Sequence, residues 1–192
     1  MNRVMFFVLV IMLPVNGLLG QTTSNSETPE KLAVLFKQNS LTNPGFCAER
    51  MHPDALKLFK SLVLEFIQST PIEGRETALS VLFDGAMNES QLATTSATQL
   101  YASFLRKLAT QTAPNMTEFM AKAELTPLGS VIEGDMSHVV VRTSIKDADY
   151  RKLDVVSFKK HGNGWGGLLG EDLEFKIRNM IRSQRARRGP NP

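Results

Sequence analysis

Three histidines and a single cysteine are the residues best suited to chemistry, and their spacing limits what they can do. His138 follows Asp135 by three positions in a β-branched run, so a carboxylate could orient its imidazole as in a general base. His161 sits beside Lys159 and Lys160 and reads as a solvated turn residue. His52 precedes Pro53 and reads as the entry to a helix. Cys47 has no His, Asn or Asp next to it to activate a thiolate. A lone thiol forms no internal disulfide, so it reads as a small buried hydrophobe. The three histidines and Cys47 lack tight metal-ligand spacing, so no metal and no cofactor are expected. No phosphate-cradling glycine loop, nucleophile elbow or paired-carboxylate signature occurs. No catalytic residue is nominated, which favours a binding module over an enzyme.

The stretch from Tyr150 to Leu169 organises the rest. Val155, Val156 and Phe158 lie in a β-branched and aromatic run that reads as a strand. Asn163-Gly164 then supplies the two positive-φ residues of a type I′ turn, and Trp165 opens the returning strand. Upstream, Ser137 to Ile145 is a strong strand with Val139, Val140 and Val141, preceded by a turn at Asp135-Met136. Glu118 to Thr126 alternates with period two and reads as a strand, and Ser130 to Gly134 as a short second one.

Before the strands come helices. Thr28 caps one that begins at Pro29 and carries Leu32, Leu35 and Phe36 on one side; Asn43-Pro44-Gly45 ends it in a turn. The next runs from Pro53 to about Gln68, with Ala55, Leu58, Phe59, Leu62, Val63 and Phe66 in one stripe. A shorter one covers roughly Gly74 to Phe83. At Asn88, Gln91 completes a capping box, and Met87 and Leu92 a hydrophobic staple. From there one apolar face through Tyr101, Phe104 and Leu108 predicts about six helical turns. A last helix begins at Glu171 and Asp172, with Leu173, Ile177, Met180 and Ile181 inward.

The two ends differ from the body. Arg3, the apolar run Met5 to Leu13, Pro14 and the small residues Gly17 and Gly20 have the layout of a secretory signal peptide over residues 1–20. Export to the periplasm or the extracellular space is expected, with cleavage after Gly17 or Gly20. Residues 21–28 read as a disordered spacer and 29–182 as one domain. Residues 183–192, SQRARRGPNP, read as a disordered basic tail suited to an anionic surface. The net charge of +3 falls to about −2 once Arg3, Arg182, Arg185, Arg187 and Arg188 are set aside, so no nucleic acid is expected as a partner of the fold. Asn88-Glu89-Ser90 and Asn115-Met116-Thr117 are glycosylation acceptors in a eukaryotic host.

Helices first and antiparallel strands after is the α+β pattern: N-terminal helices on a curved, cone-like antiparallel sheet, with a short C-terminal helix. Such a cone encloses a cavity, the default ligand site. Its candidate lining is Phe59, Phe66, Tyr101, Phe104, Val141, Phe158 and Trp165. The ordering, with VSFKKHGNGW as a final hairpin, resembles the nuclear transport factor 2-like (SnoaL-like) superfamily over roughly residues 50 to 172. The chain departs from that pattern at Gly166-Gly167, which could open room for a ligand. The signal peptide, paired helices, late strands and closing helix are also similar to MlaC-type phospholipid-shuttle proteins. The first resemblance implies an exported, non-catalytic module for a small apolar ligand or a partner, with a homodimer through the sheet as an option. The second implies a lipid carrier with an apolar cavity. A cavity-based isomerase, dehydratase or hydrolase is the remaining alternative.

Overall fold

The computed structural model describes residues 27–85, 87–111, 122–146 and 149–187. Seven α-helices are described: α1 (Pro29–Asn39), α2 (Pro44–Glu49), α3 (Pro53–Ser69), α4 (Arg75–Leu82), α5 (Glu89–Thr94), α6 (Ala97–Gln111) and, after the sheet, α7 (Glu171–Arg187). The strands β1 (Glu124–Glu133), β2 (Met136–Ile145), β3 (Tyr150–His161) and β4 (Gly164–Gly167) form one four-stranded antiparallel sheet in the order β1-β2-β3-β4. The protein is therefore α+β, as its element order requires.

The helix starts follow their caps. Thr28 accepts the Lys31 N–H at 3.4 Å, with Pro29 at the first helical position. At Asn88 both bonds of the capping box form, 2.8 Å from the Gln91 N–H and 3.0 Å from the Asn88 N–H to the Gln91 side chain. Two boundaries differ from expectation. Asn43 does not only close a turn: its side chain accepts the Phe46 N–H at 3.3 Å and starts the six-residue α2. The long helix expected after Asn88 is broken at Thr95, whose backbone is extended (φ −65°, ψ 137°). The Thr95 hydroxyl donates to the Gln91 carbonyl at 2.7 Å, and the Ser96 hydroxyl accepts the Gln99 N–H at 3.2 Å to begin α6. Hydroxyl side chains that bond their own backbone end helices in this way.

In the sheet, β1 is one strand where two were expected. It crosses its Pro127–Gly129 irregularity with a shift of register against Val141 and Val140, as a bulge does. The expected strand residues 118–121 lie outside the described residues. Both hairpins turn one residue earlier than the expected turns at Asp135-Met136 and Asn163-Gly164. Gly134 (φ 63°) with Asp135, and Gly162 (φ 57°) with Asn163, form the tight loops. Only the first position has positive φ, the mark of a type II′ turn. The last helix runs on past the expected end at Arg182, so Ser183 to Arg187 belong to α7; 188–192 lie outside the described residues, as does the expected leader.

Two apolar clusters meet at Phe36. In the helical cluster Phe59, fully buried, meets Tyr101 edge-on at 5.0 Å and Phe104 at 5.2 Å between ring centroids, while Ile177 and Ile181 of α7 join the same core. In the sheet cluster α1 lays Leu32 and Ala33 on Val139, Val141 and Phe158, and Phe36 meets the Phe158 ring edge-on at 5.7 Å. Ser137 is buried in this inner face with no hydrogen-bond partner for its hydroxyl among the described residues. An unpaired buried hydroxyl costs stability, so Ser137→Ala should unfold at the same denaturant midpoint or be up to about 1 kcal/mol more stable. A loss above about 1 kcal/mol would show that the hydroxyl has a partner.

Candidate binding edge and outer sheet face

The residues expected to line one cavity lie in two packed groups instead. Phe59, Phe66, Tyr101 and Phe104 fill the helical core. Val141 and Phe158 are in the sheet core, and Trp165 is partly buried against it. Phe59 meets Tyr101 and Phe104, and Phe158 meets Phe36, at ring-contact distance, and α1 rather than the helical core covers the sheet. Of these residues only Phe66 reaches a groove found among the described residues, an open one between α3, α4 and α7.

Gly166 and Gly167 also do something other than expected. A Cβ at Gly166 would stand 2.7 Å from the His52 Cα, and one at Gly167 2.8 Å from the Phe36 ring. The missing side chains admit the chain segment Arg50–His52. The Gly167 N–H donates to the Arg50 carbonyl at 2.9 Å, and the His52 N–H donates to the Gly167 carbonyl at 2.8 Å. Met51 thus bridges Gly167 in parallel, and the glycines tie the α2–α3 junction to the sheet.

Each sequence-nominated polar residue has a structural role. His52 is buried; its Nδ1 accepts the Asp54 N–H at 3.1 Å and so caps α3, and its ring meets His161 edge-on at 5.4 Å. Cys47 is buried, its thiol 3.6 Å from the Phe36 carbonyl, and burial pushes its pKa up to about 11 against the nearby Arg50. A thiol so poised is almost wholly protonated at pH 8. Labelling by Ellman's reagent should therefore be at least about tenfold slower in the native protein than in denaturant; equal rates would contradict the burial. His138 does not meet Asp135, which lies 3.9 Å from Lys159. Its Nδ1 is 2.8 Å from the Ser157 hydroxyl across the β2–β3 pair. A serine–imidazole contact becomes a nucleophile only with a third group to orient the base and donors for the oxyanion. His138 makes no carboxylate contact among the described residues.

That contact instead marks the outer face of the sheet. On β2 the buried set is Ser137, Val139, Val141, Thr143 and Ile145, so His138, Val140 and Arg142 point outward. Their partners share that face: Val155 opposite Val140, Leu153 opposite Arg142, and Ser157 and Val131 flanking His138. Val131, Leu153 and Val155 are 59%, 62% and 63% exposed, a contiguous aliphatic patch with a polar rim. Single exposed hydrophobics are ordinary, but a clustered set marks an interaction surface.

Beside the patch β3 has an open edge, because β4 pairs only with Phe158 to His161. The Leu168 N–H donates to the Ser157 carbonyl at 2.8 Å, which shows that odd-numbered residues of β3 direct their backbone groups away from β2. By alternation Leu153 and Val155 point theirs to the edge, and no described strand pairs with them there. A groove of about 560 Å³ follows this edge, walled by Leu168 to Asp172 and floored by His138, Leu153, Val155 and Ser157. Glu171 and Asp172 make that wall acidic. Asp154, also in the groove, accepts from Lys37 at 2.7 Å and Lys152 at 2.8 Å. Burial alone would raise its pKa, but these two lysines outweigh it and hold the carboxyl below its usual range.

No family model, curated protein or solved structure matches this chain.

Composition carries no hint of the edge. The one usable signal was parity: Leu153 and Val155 alternate with Asp154 and stand in opposite phase to the buried Phe158.

Proposed function

We propose that this chain is an exported, non-catalytic binding module that takes an extended segment of a partner protein onto the free edge of β3. The observation that supports it is the conjunction of Leu153 and Val155 backbone that no described strand pairs on that side, the exposed aliphatic patch and the groove beside them. Added strands gain affinity from main-chain hydrogen bonds and specificity from alternate side chains. The apolar outer face suits aliphatic residues at every second position, and the acidic wall suits basic residues at the end that lies near Lys152. The packed aromatic core supports a surface, not a hollow, as the binding element.

The test is a seven-residue peptide of two lysines followed by alternating valine and threonine, titrated into the labelled protein. Amide shifts at Leu153 and Val155 are expected with a Kd on the order of 0.1–1 mM, and a diglutamate analogue should bind several-fold more weakly. Absence of shifts at these amides, or equal binding of both peptides, would overturn the reading.

A second reading is favoured by the groove of about 470 Å³ between α3, α4 and α7, where Phe66, Ala78, Val81, Leu82 and Met180 meet Arg187. A largely apolar trough that carries Arg187 as its one cationic group, with Glu73 also in its lining, suits a single-chain amphiphile whose carboxylate meets the guanidinium. Native mass spectrometry with palmitate should show a one-to-one complex that Arg187→Glu abolishes; no complex, or one that survives the substitution, would remove this reading.

A further inference from the structure

We propose that the outer face of the sheet carries a binding site for a phosphomonoester at the turn end of the β2–β3 pair, with Arg142, Lys146 and Arg151 as its cations. The site lies off the β3 edge and does not depend on the strand-addition reading.

Register brings the two arginines together. Arg142 stands opposite Leu153 and Ser144 opposite Arg151, all on the outer face. Arg142 and Arg151 are therefore diagonal neighbours, about 7–8 Å apart at the backbone and within reach of a shared ion for such long side chains. Lys146, two residues beyond Ser144, lines the same depression of about 340 Å³ with both arginines, Ser144 and Tyr150. Like charges this close repel one another, and an anion held between them replaces repulsion by attraction.

Their lack of partners separates these three cations from the others on the sheet. Lys152 holds Asp154, Lys159 holds Asp54, and Lys160 lies over the Trp165 ring. Arg142, Lys146 and Arg151 make no ion pair, side-chain hydrogen bond or ring contact among the described residues. Two carboxylates are near: Asp149 in the lining, and Glu124 across Ser144 on β1. Neither pairs with any of the three cations. Asp147, next to Lys146 in the sequence, lies outside the described residues.

A phosphomonoester matches what these groups offer. It carries close to two negative charges and three terminal oxygens, against two guanidinium forks and one ammonium. The forks grip phosphate oxygens bidentately, while Lys146 acts as a point charge. The Ser144 hydroxyl, on the same face beside Arg151, adds a neutral donor. A carboxylate has only one charge and two oxygens, which would leave a cation unmatched. The aliphatic patch of Leu153, Val140 and Val155 begins beside Arg142 and would lie under the esterified group. The phosphate is either that of a free small molecule or that of a lipid headgroup.

Inorganic phosphate, titrated into the labelled protein at about pH 7.5 with chloride withdrawn to hold ionic strength constant, tests the site. Saturable shifts are expected at the Arg142, Ser144 and Arg151 amides, with Kd on the order of 1–10 mM. Arg142→Gln and Arg151→Gln alter exposed side chains and should keep the wild-type circular dichroism. Each should weaken phosphate binding at least about fivefold. Lys152→Gln removes the same charge from the other face and should leave the affinity within about twofold. Absence of saturable shifts, or equal losses in Lys152→Gln and Arg142→Gln, would overturn the inference. Dihexanoyl phosphatidic acid below its micellar concentration distinguishes the sources. Affinity at least about tenfold above that of phosphate, with added shifts at Val140 and Leu153, identifies a lipid headgroup. Equal affinity without those shifts identifies a free phosphate compound.

Discussion

Gly166→Ala is expected to cost about 3 kcal/mol or more, lowering the melting temperature by roughly 10 °C. The methyl would stand 2.7 Å from the His52 Cα and 2.8 Å from the His52 nitrogen, and backbone atoms cannot rotate aside as a side-chain tip can. Relief requires Arg50–His52 to move off β4. That movement would break the bonds linking Gly167 to Arg50 and His52 and disturb the His52 cap of α3. Gly167→Ala should be milder, about 1–3 kcal/mol, because its clash is with the Phe36 ring and the Met51 sulfur. Thermal unfolding of both variants checks this order. A Gly166→Ala protein within about 0.5 kcal/mol of wild type would mean that the α2–α3 junction does not lie against β4.

Phe59→Ala should cost about 3–5 kcal/mol, the range for removing a buried aromatic ring. Phe59 is fully buried with Tyr101 and Phe104 against it, and these three rings bring α3 and α6 together. If the rings instead bordered a ligand hollow, truncation would enlarge existing space and cost far less. A loss under about 1 kcal/mol by chemical denaturation would therefore restore the cavity and contradict the packed core. The variant should also leave peptide shifts at Leu153 and Val155 unchanged, since the core does not form the edge.

Elements whose signals are local were legible. Thr28-Pro29, His52-Pro53 and Asn88 with Gln91 begin helices because caps and Pro act within one turn. The β2 and β3 strands are β-branched runs whose pairing the hairpins enforce. What failed was each inference that needed a neighbour distant in sequence. Asn43-Pro44-Gly45 suits a turn or a helix start equally, and packing of α2 on α6 decides it. Gly166-Gly167 looked like vacant space because the segment that fills it lies over a hundred residues earlier. Phe59 and Phe158 are equally apolar, and nothing in their types says that α1 separates them into different clusters. The continuous run Val139-Val140-Val141 concealed which side faces water, so the exposed patch emerged only from the register.

Amide hydrogen exchange along β3 in dilute protein, read residue by residue by nuclear magnetic resonance, tests the free edge most directly. The amides of Asp154 and Val156 bond β2 and should be protected, while those of Leu153 and Val155 should exchange at least about tenfold faster. Equal protection of odd and even residues would show that the edge is already covered, and the binding surface proposed for this protein would be lost.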